Sequence, residues 1–390
     1  MAQNVLERMA AMDAEKRIAD FRVKQKQNYA FKKTYAYARA REFAAECHRR
    51  DINYHVSVGG LDSIVLFLFL HSIGIDCPGI SVSFLEDKSI QSIHKALGIQ
   101  RLKSAQKEDG TRWRQVDVIQ QFGFPVISKE TAGKIRLLQN PTDKNATVRH
   151  AIITGETGDY GGNRTGTRMK LAQKWLNLFG GYENENEGVN YGKPDFLVSD
   201  DCCYYLKEKP CDDWAKANNS VPFLGLMASE GGRRQKALML NGCNYFGEST
   251  IRSAPFAIFL RDDLLRLALE METYYQEHWR EFGDVHLDSI VPSVYGEIAT
   301  GEDGKLCTTL AQRTGCTMCG FGIHMEKRPH RFDHVWHRNP KEWDFYMNRC
   351  AVDIYGRPYG WGKVLDYIGV GWRNPETLFG FYQLTLEDIA

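Results

Sequence analysis

The run Ser57-Val58-Gly59-Gly60-Leu61-Asp62-Ser63 constrains this chain more than any other stretch. It joins a strand-like segment, residues 53–58, to an apolar helical segment, residues 64–71. A strand followed by a Gly-Gly turn and a hydroxyl residue at a helix start suits an anion. The glycines let backbone N–H groups approach a phosphate, and the helix N-terminus adds unpaired donors and a favourable dipole. Ser57 and Ser63 carry hydroxyls that can donate to phosphate oxygens. Asp62 would repel an anion unless a cation stood between them, and Mg²⁺ would resolve the conflict. An ordinary Gly-rich strand-to-helix turn is the plainer reading of the same residues.

Strand and helix patterns alternate around this turn. Residues 79–84 and 100–104 read as further strands, and 88–98 and 111–122 as helices. A core strand at 221–228 precedes Glu230-Gly-Gly-Arg-Arg and a helix through Leu240. Such alternation predicts an α/β fold with a doubly wound parallel sheet, whose ligands bind beyond the strand C-termini. Three regions are expected: a helical N-terminal arm over 1–50, an α/β nucleotide-binding domain over 51–250, and a mainly helical C-terminal region over 251–390. Within the arm, residues 22–26 and Lys32-Lys33 could touch phosphates locally. Residues 140–195 are polar and Gly-rich, and read as an insertion or lid around a helical piece at 170–178.

Ten cysteines in a chain with no apolar run of membrane-spanning length and no signal-peptide core point to the cytoplasm, with the thiols reduced. A net charge of +1 does not announce a nucleic-acid partner. Four of the cysteines are clustered: the adjacent Cys202-Cys203, after Asp200-Asp201, and the pair Cys316-Thr-Met-Cys319. Two thiolates at CxxC spacing chelate one centre, and a distant pair completes a four-thiolate shell. Zinc, a redox-active Cys316/Cys319 pair and unligated buried thiols are the competing readings. Residues 324–338 interleave four histidines and four basic side chains with aromatics. They read as a backbone-tracking surface for nucleic acid or another anion, or as a solvated helix beside the cysteines.

The turn resembles the PP-loop of N-type ATP pyrophosphatases, SGGxDS, with one departure at Val58. The ordered set of this turn, Cys202-Cys203 followed by Lys207 and Lys209-Pro210, the 225–234 segment and Arg313-Thr-Gly-Cys-Thr-Met-Cys-Gly-Phe-Gly resembles the PAPS reductase family over roughly residues 53–347. The resemblance implies a HUP-type α/β fold and an adenine nucleotide, ATP or a related adenylyl compound, at Ser57, Gly59, Gly60, Asp62, Ser63 and Glu230. It implies Mg²⁺ on Asp62, phosphate contacts from Arg233 and Arg234, and a 4Fe–4S cluster on Cys202, Cys203, Cys316 and Cys319. Met227 stands where the family carries an arginine. No cysteine follows Cys350, so the C-terminal nucleophilic thiol of the reductases has no counterpart. That directs the expectation to ATP-dependent adenylation coupled to sulfur transfer, with Asp62, Ser63, Arg233 and Arg234 as catalytic residues. A nucleic-acid acceptor, a sulfur-donor protein such as a cysteine desulfurase and a homo-oligomer are the expected partners. Sulfonucleotide reduction and a nucleotide-sensing adaptor are the alternatives.

Overall fold

The computed structural model describes residues 2–156, 169–181, 183–184 and 189–379. The lid reading at 157–168 and 185–188 lies outside the described residues. The chain forms two compact units, each built from two stretches: Met1–Lys103 with Pro210–Cys316, and Ser104–Lys209 with Thr317–Ala390. The sequence reading divided the chain at 50 and 250; the compact units divide it at 103, 209 and 316.

The first unit holds a mixed α/β arrangement around a six-stranded sheet. The central strand β1 (Asn53–Ser57) pairs in parallel with β2 (Gly79–Ser81) on one side and with Ser220–Phe223 on the other. β2 pairs in parallel with β3 (Gln100–Arg101), and Ser220–Phe223 pairs in parallel with Ile251–Ser253. Asn244–Phe246 closes that edge as the antiparallel member. The strand 79–84 expected from the sequence ends at Ser81, and a short 3₁₀ turn, Ser83–Leu85, follows.

Successive side chains of a strand face opposite sides, so β1 needs cover on both. Tyr54 packs edge-on against Phe223, which in turn meets Phe43 of α2 (Tyr29–Arg49) at 4.9 Å. His55, on the other face, packs edge-on against Trp214 of the helix Lys209–Ala217. α2 buries Lys32, Ala36, Ala40, Phe43 and Cys47, a stripe at helical spacing. α3 (Leu61–Ser72) is buried from Ile64 to Leu70 without a polar face, as a helix must be when covered all round. It packs against both β1 and the helix Arg261–His278.

Lys32 and Lys33 do not offer themselves to phosphate. Lys32 is 3% exposed and ion-paired to buried Asp263 at 2.6 Å, and Lys33 is paired to Glu270. A lysine at a buried position of an amphipathic helix needs such a partner, since an unpaired buried charge is costly.

The second unit is mainly helical. Its own core gathers Phe124, Phe179, Phe332 and Trp361, with the short parallel pair Val126–Ile127 and Gly320–Phe321 beside it. Among the described residues, no helix is long and apolar enough to cross a membrane.

Candidate functional site

The residues singled out in the turn after β1 come together in the first unit. Val58 N–H donates to Ile80 O at 2.8 Å, carrying the strand ladder up to the turn. α3 begins at Leu61, three residues before the apolar run, because Gly60 caps it in an extended conformation. The Gly60 carbonyl accepts from Ser63 and Ile64 N–H, both at 3.2 Å. Asp62 and Ser63 therefore sit in the first helical turn. The Ser63 hydroxyl donates to Gly60 O at 2.9 Å and accepts from Gly59 N–H at 2.7 Å. A hydroxyl has one proton, and here it is spent inside the turn. Ser57 ends β1 and is half-buried.

Three contacts hold the turn from outside. His94 of α4 (Lys88–Ala96) lies 2.8 Å through Nε2 from the Gly59 carbonyl, which can only accept, so Nε2 carries the proton. Leu61 N–H, an unpaired donor of the helix start, gives its bond to the Tyr295 hydroxyl at 3.1 Å. Tyr295 in turn pairs with the Thr314 hydroxyl at 2.7 Å. The segment after Ser220–Phe223 also comes close: a Cβ on Gly225 would stand 3.0 Å from Asp62 C and O and from Ser63 N, so only glycine fits there without displacement.

The charges form one group. Asp62 Oδ1 accepts from Arg261 Nη1 at 2.5 Å. Burial raises the Asp62 carboxyl above its usual range, with Glu230 adding to the rise and Arg261 and Arg313 opposing it. Glu230 is nearly buried, accepts from Arg234 at 2.9 Å and lies 3.9 Å from Arg313. Two carboxylates thus share three guanidiniums, a setting in which an entering anion meets positive charge. The Arg233 side chain lies outside the described residues. Met227, where the resemblance calls for an arginine, is buried.

Arg261 is not among the residues that the sequence singles out for this site. One signal was available. It is the first residue of the helix Arg261–His278, where a cation opposes the helix dipole. A residue in that disfavoured place has another reason to be there, and Asp62, far away in sequence, supplies part of it.

The expected metal ligands Cys202, Cys203 and Cys319 belong to the second unit, and Cys316 is the last residue of the first. Cys202 and Cys203 lie in the short helical turn Asp201–Cys203, which runs into a π-helical turn at Tyr204–Glu208. Burial pushes the Cys203 thiol up to about 11, and the neighbouring Cys319 adds to the rise. Met318, inside the CxxC turn, adopts the left-handed conformation with φ 56°. A buried thiol such as Cys203, with a second cysteine beside it, is stabilised as the thiolate when a metal is bound, so the donor chemistry fits iron or zinc. Among the described residues, however, no three His, Cys, Asp or Glu side chains gather into a ligand shell.

The histidine-rich stretch spends most of its polar groups internally. His330 is buried and caps the helix Arg331–Arg338, accepting from Asp333 N–H, while its Nε2 reaches Gly371 O at 3.0 Å. Arg328 pairs with Asp333, Arg331 with Glu326, and His337 stacks on Phe379. A nucleic-acid-tracking role for these residues would have to displace those contacts.

No family model, curated protein or solved structure matches the chain.

Proposed function

We propose that the protein binds an adenine nucleotide at the turn after β1 and cleaves ATP between its α and β phosphates, as a PAPS-reductase-like enzyme with a HUP-type first unit. The observation that carries this reading is where the turn lies. β1 has parallel neighbours on both sides, and the segments leaving β1 and Ser220–Phe223 run side by side and meet at Gly225. Ligands of open parallel sheets bind in the crevice formed at such a place. The charge group around Asp62, Glu230, Arg234, Arg261 and Arg313 supports a polyanionic ligand.

In the reaction, an acceptor oxygen forms a bond to the α phosphorus while the bond to the bridging oxygen breaks, and pyrophosphate leaves with the electron pair. The chain's part is to hold the phosphates against the Gly59-Gly60 turn and to offset the developing negative charge with guanidiniums. Asp62 would hold Mg²⁺, which would offset phosphate charge when bound. Cys202, Cys203, Cys316 and Cys319 would hold a 4Fe–4S cluster, which supplies sulfur or redox chemistry when bound. The proposed destination of the adenylated oxygen is replacement by sulfur, on a nucleic acid or another acceptor. The proposed setting is the cytoplasm, where the ten cysteines would be kept reduced.

The buried Cys350 disfavours sulfonucleotide reduction. Burial pushes its thiol up to about 12, and its Sγ donates to the Tyr346 carbonyl at 3.2 Å. An attacking thiolate needs the opposite environment. The test is product analysis with protein purified without oxygen. AMP and pyrophosphate released from ATP, together with iron and labile sulfide in the protein, support the reading. Thiol-dependent sulfite release from PAPS, or nucleotide binding with no turnover, would replace it with the reductase or the adaptor; stoichiometric zinc without sulfide would remove the cluster.

A further inference from the structure

Arg261 presents an unfinished set of hydrogen bonds. Nη1 is on Asp62, but Nε and Nη2 are buried and meet no partner among the described residues. These two atoms are not an arbitrary pair. Their N–H bonds run parallel along one edge of the planar guanidinium, the fork that takes two oxygens of one phosphate, sulfate or carboxylate group. Burying charged donors without partners is costly, and the arginine also opposes its own helix dipole. An anion seated on that edge removes both costs. The edge lies within the first unit, beside the Asp62 turn, with the Arg261 guanidinium 6.0 Å from the Tyr295 ring.

We propose that Arg261 is the phosphate-reading residue of this site, holding two oxygens of one phosphate group through Nε–H and Nη2–H, and that Asp62 is a positioning residue that aims the fork through Nη1. The inference rests on the adenine-nucleotide reading for the identity of the whole ligand, but the anion contact stands apart from it. Arg234 already serves Glu230, and Arg313 lies at that same carboxylate. Both are largely exposed, where water can meet their remaining donors, whereas the unmet edge of Arg261 is buried.

Inorganic pyrophosphate is the probe, titrated calorimetrically into the full-length protein with and without Mg²⁺. Arg261→Lys keeps a cation beside Asp62, and so the fold, but replaces the fork with a point charge. Pyrophosphate affinity should fall at least tenfold, while thermal stability without ligand changes little. The rise in melting temperature that pyrophosphate gives the wild type should shrink accordingly. Asp62→Asn can still accept from Nη1 while removing a negative charge. Without Mg²⁺ it should therefore bind pyrophosphate at least as tightly as the wild type. Asp62→Ala, which cannot accept from Nη1, should bind it at least tenfold more weakly than Asp62→Asn without Mg²⁺, and equal affinity of the two variants would overturn the positioning role. Equal pyrophosphate affinity in wild type and Arg261→Lys would overturn the inference even if ATP binds, leaving the nucleotide reading in place. Arg261-dependent binding of pyrophosphate with no preference for ATP would uphold the inference and sink the nucleotide reading. Absence of any pyrophosphate binding by the wild type would refute the anion site itself.

Discussion

Replacing Gly60 with alanine tests how tightly the turn is held. The Gly60 backbone, φ −79° and ψ −165°, is one that alanine adopts without strain, so the cost comes from space alone. A Cβ there would overlap the Tyr295 hydroxyl and stand 3.1 Å from Thr314 Oγ1. The phenol cannot simply swing aside. It accepts from Leu61 N–H at 3.1 Å and pairs with Thr314 at 2.7 Å, and Tyr295 is 3% exposed. Overpacking of this kind costs about 1–3 kcal/mol. If the phenol yields, Leu61 N–H is left unmet for about 1–3 kcal/mol more. Tyr295→Phe alone loses the same acceptor at a similar cost, but it also removes the overlapping atom. The double variant Gly60→Ala/Tyr295→Phe should therefore be little worse than Tyr295→Phe, with a coupling energy of about 1–3 kcal/mol. Thermal unfolding reads this directly, at roughly 2–4 °C per kcal/mol for a unit of 150–250 residues. Additive single effects, agreeing within about 0.5 kcal/mol, would show that the hydroxyl is not what excludes a side chain at Gly60.

Two further outcomes concern the frame around the turn. Lys32→Met leaves the Asp263 carboxylate, 6% exposed, without a counter-charge and should cost about 3–5 kcal/mol, part of it recovered in Lys32→Met/Asp263→Asn, which keeps the bond from Leu260 N–H; a single-variant loss below about 1 kcal/mol in urea unfolding would refute the buried pair. Burial lowers the His55 imidazole from 6.5 to about 4, so the folded chain keeps it neutral where the unfolded chain charges it. The stability it contributes is complete above its unfolded pKa and is lost as pH falls through the window down to about 4, to a total of about 3 kcal/mol. His55→Asn should flatten that slope, and a wild-type-minus-variant difference constant across the window would refute it.

The sequence made β1 and the Gly-Gly turn legible because both signals are local: a short apolar run and a glycine pair with a hydroxyl behind it. The start of α3 was placed too late for an equally local reason. Hydrophobicity begins at Ile64, whereas the helix is set by the Gly60 carbonyl capturing N–H groups three and four residues on. The roles of Lys32 and Arg261 depend on partners more than a hundred residues away, Asp263 and Asp62. No periodicity carries that information, and a basic residue reads as surface until its partner is found. Cysteine spacing marked a candidate centre, but which thiols face one another is a matter of tertiary placement; Cys203 beside Cys319 emerges only from the folded second unit.

The pairing of β1 also dictates the order in which the protein can be assembled. Asn53 is in register with Ser220, so the central strand of the sheet has only β2 beside it until the chain has been synthesised well past the first stretch of the second unit. Closing so long a loop before any contact rewards it slows folding. During synthesis the apolar α3 and one edge of β1 must wait uncovered while the first stretch of the second unit, itself short of half its core, is being made. A ribosome-bound chain halted before residue 220 therefore carries a half-sheet with an open edge, the species most in need of a chaperone.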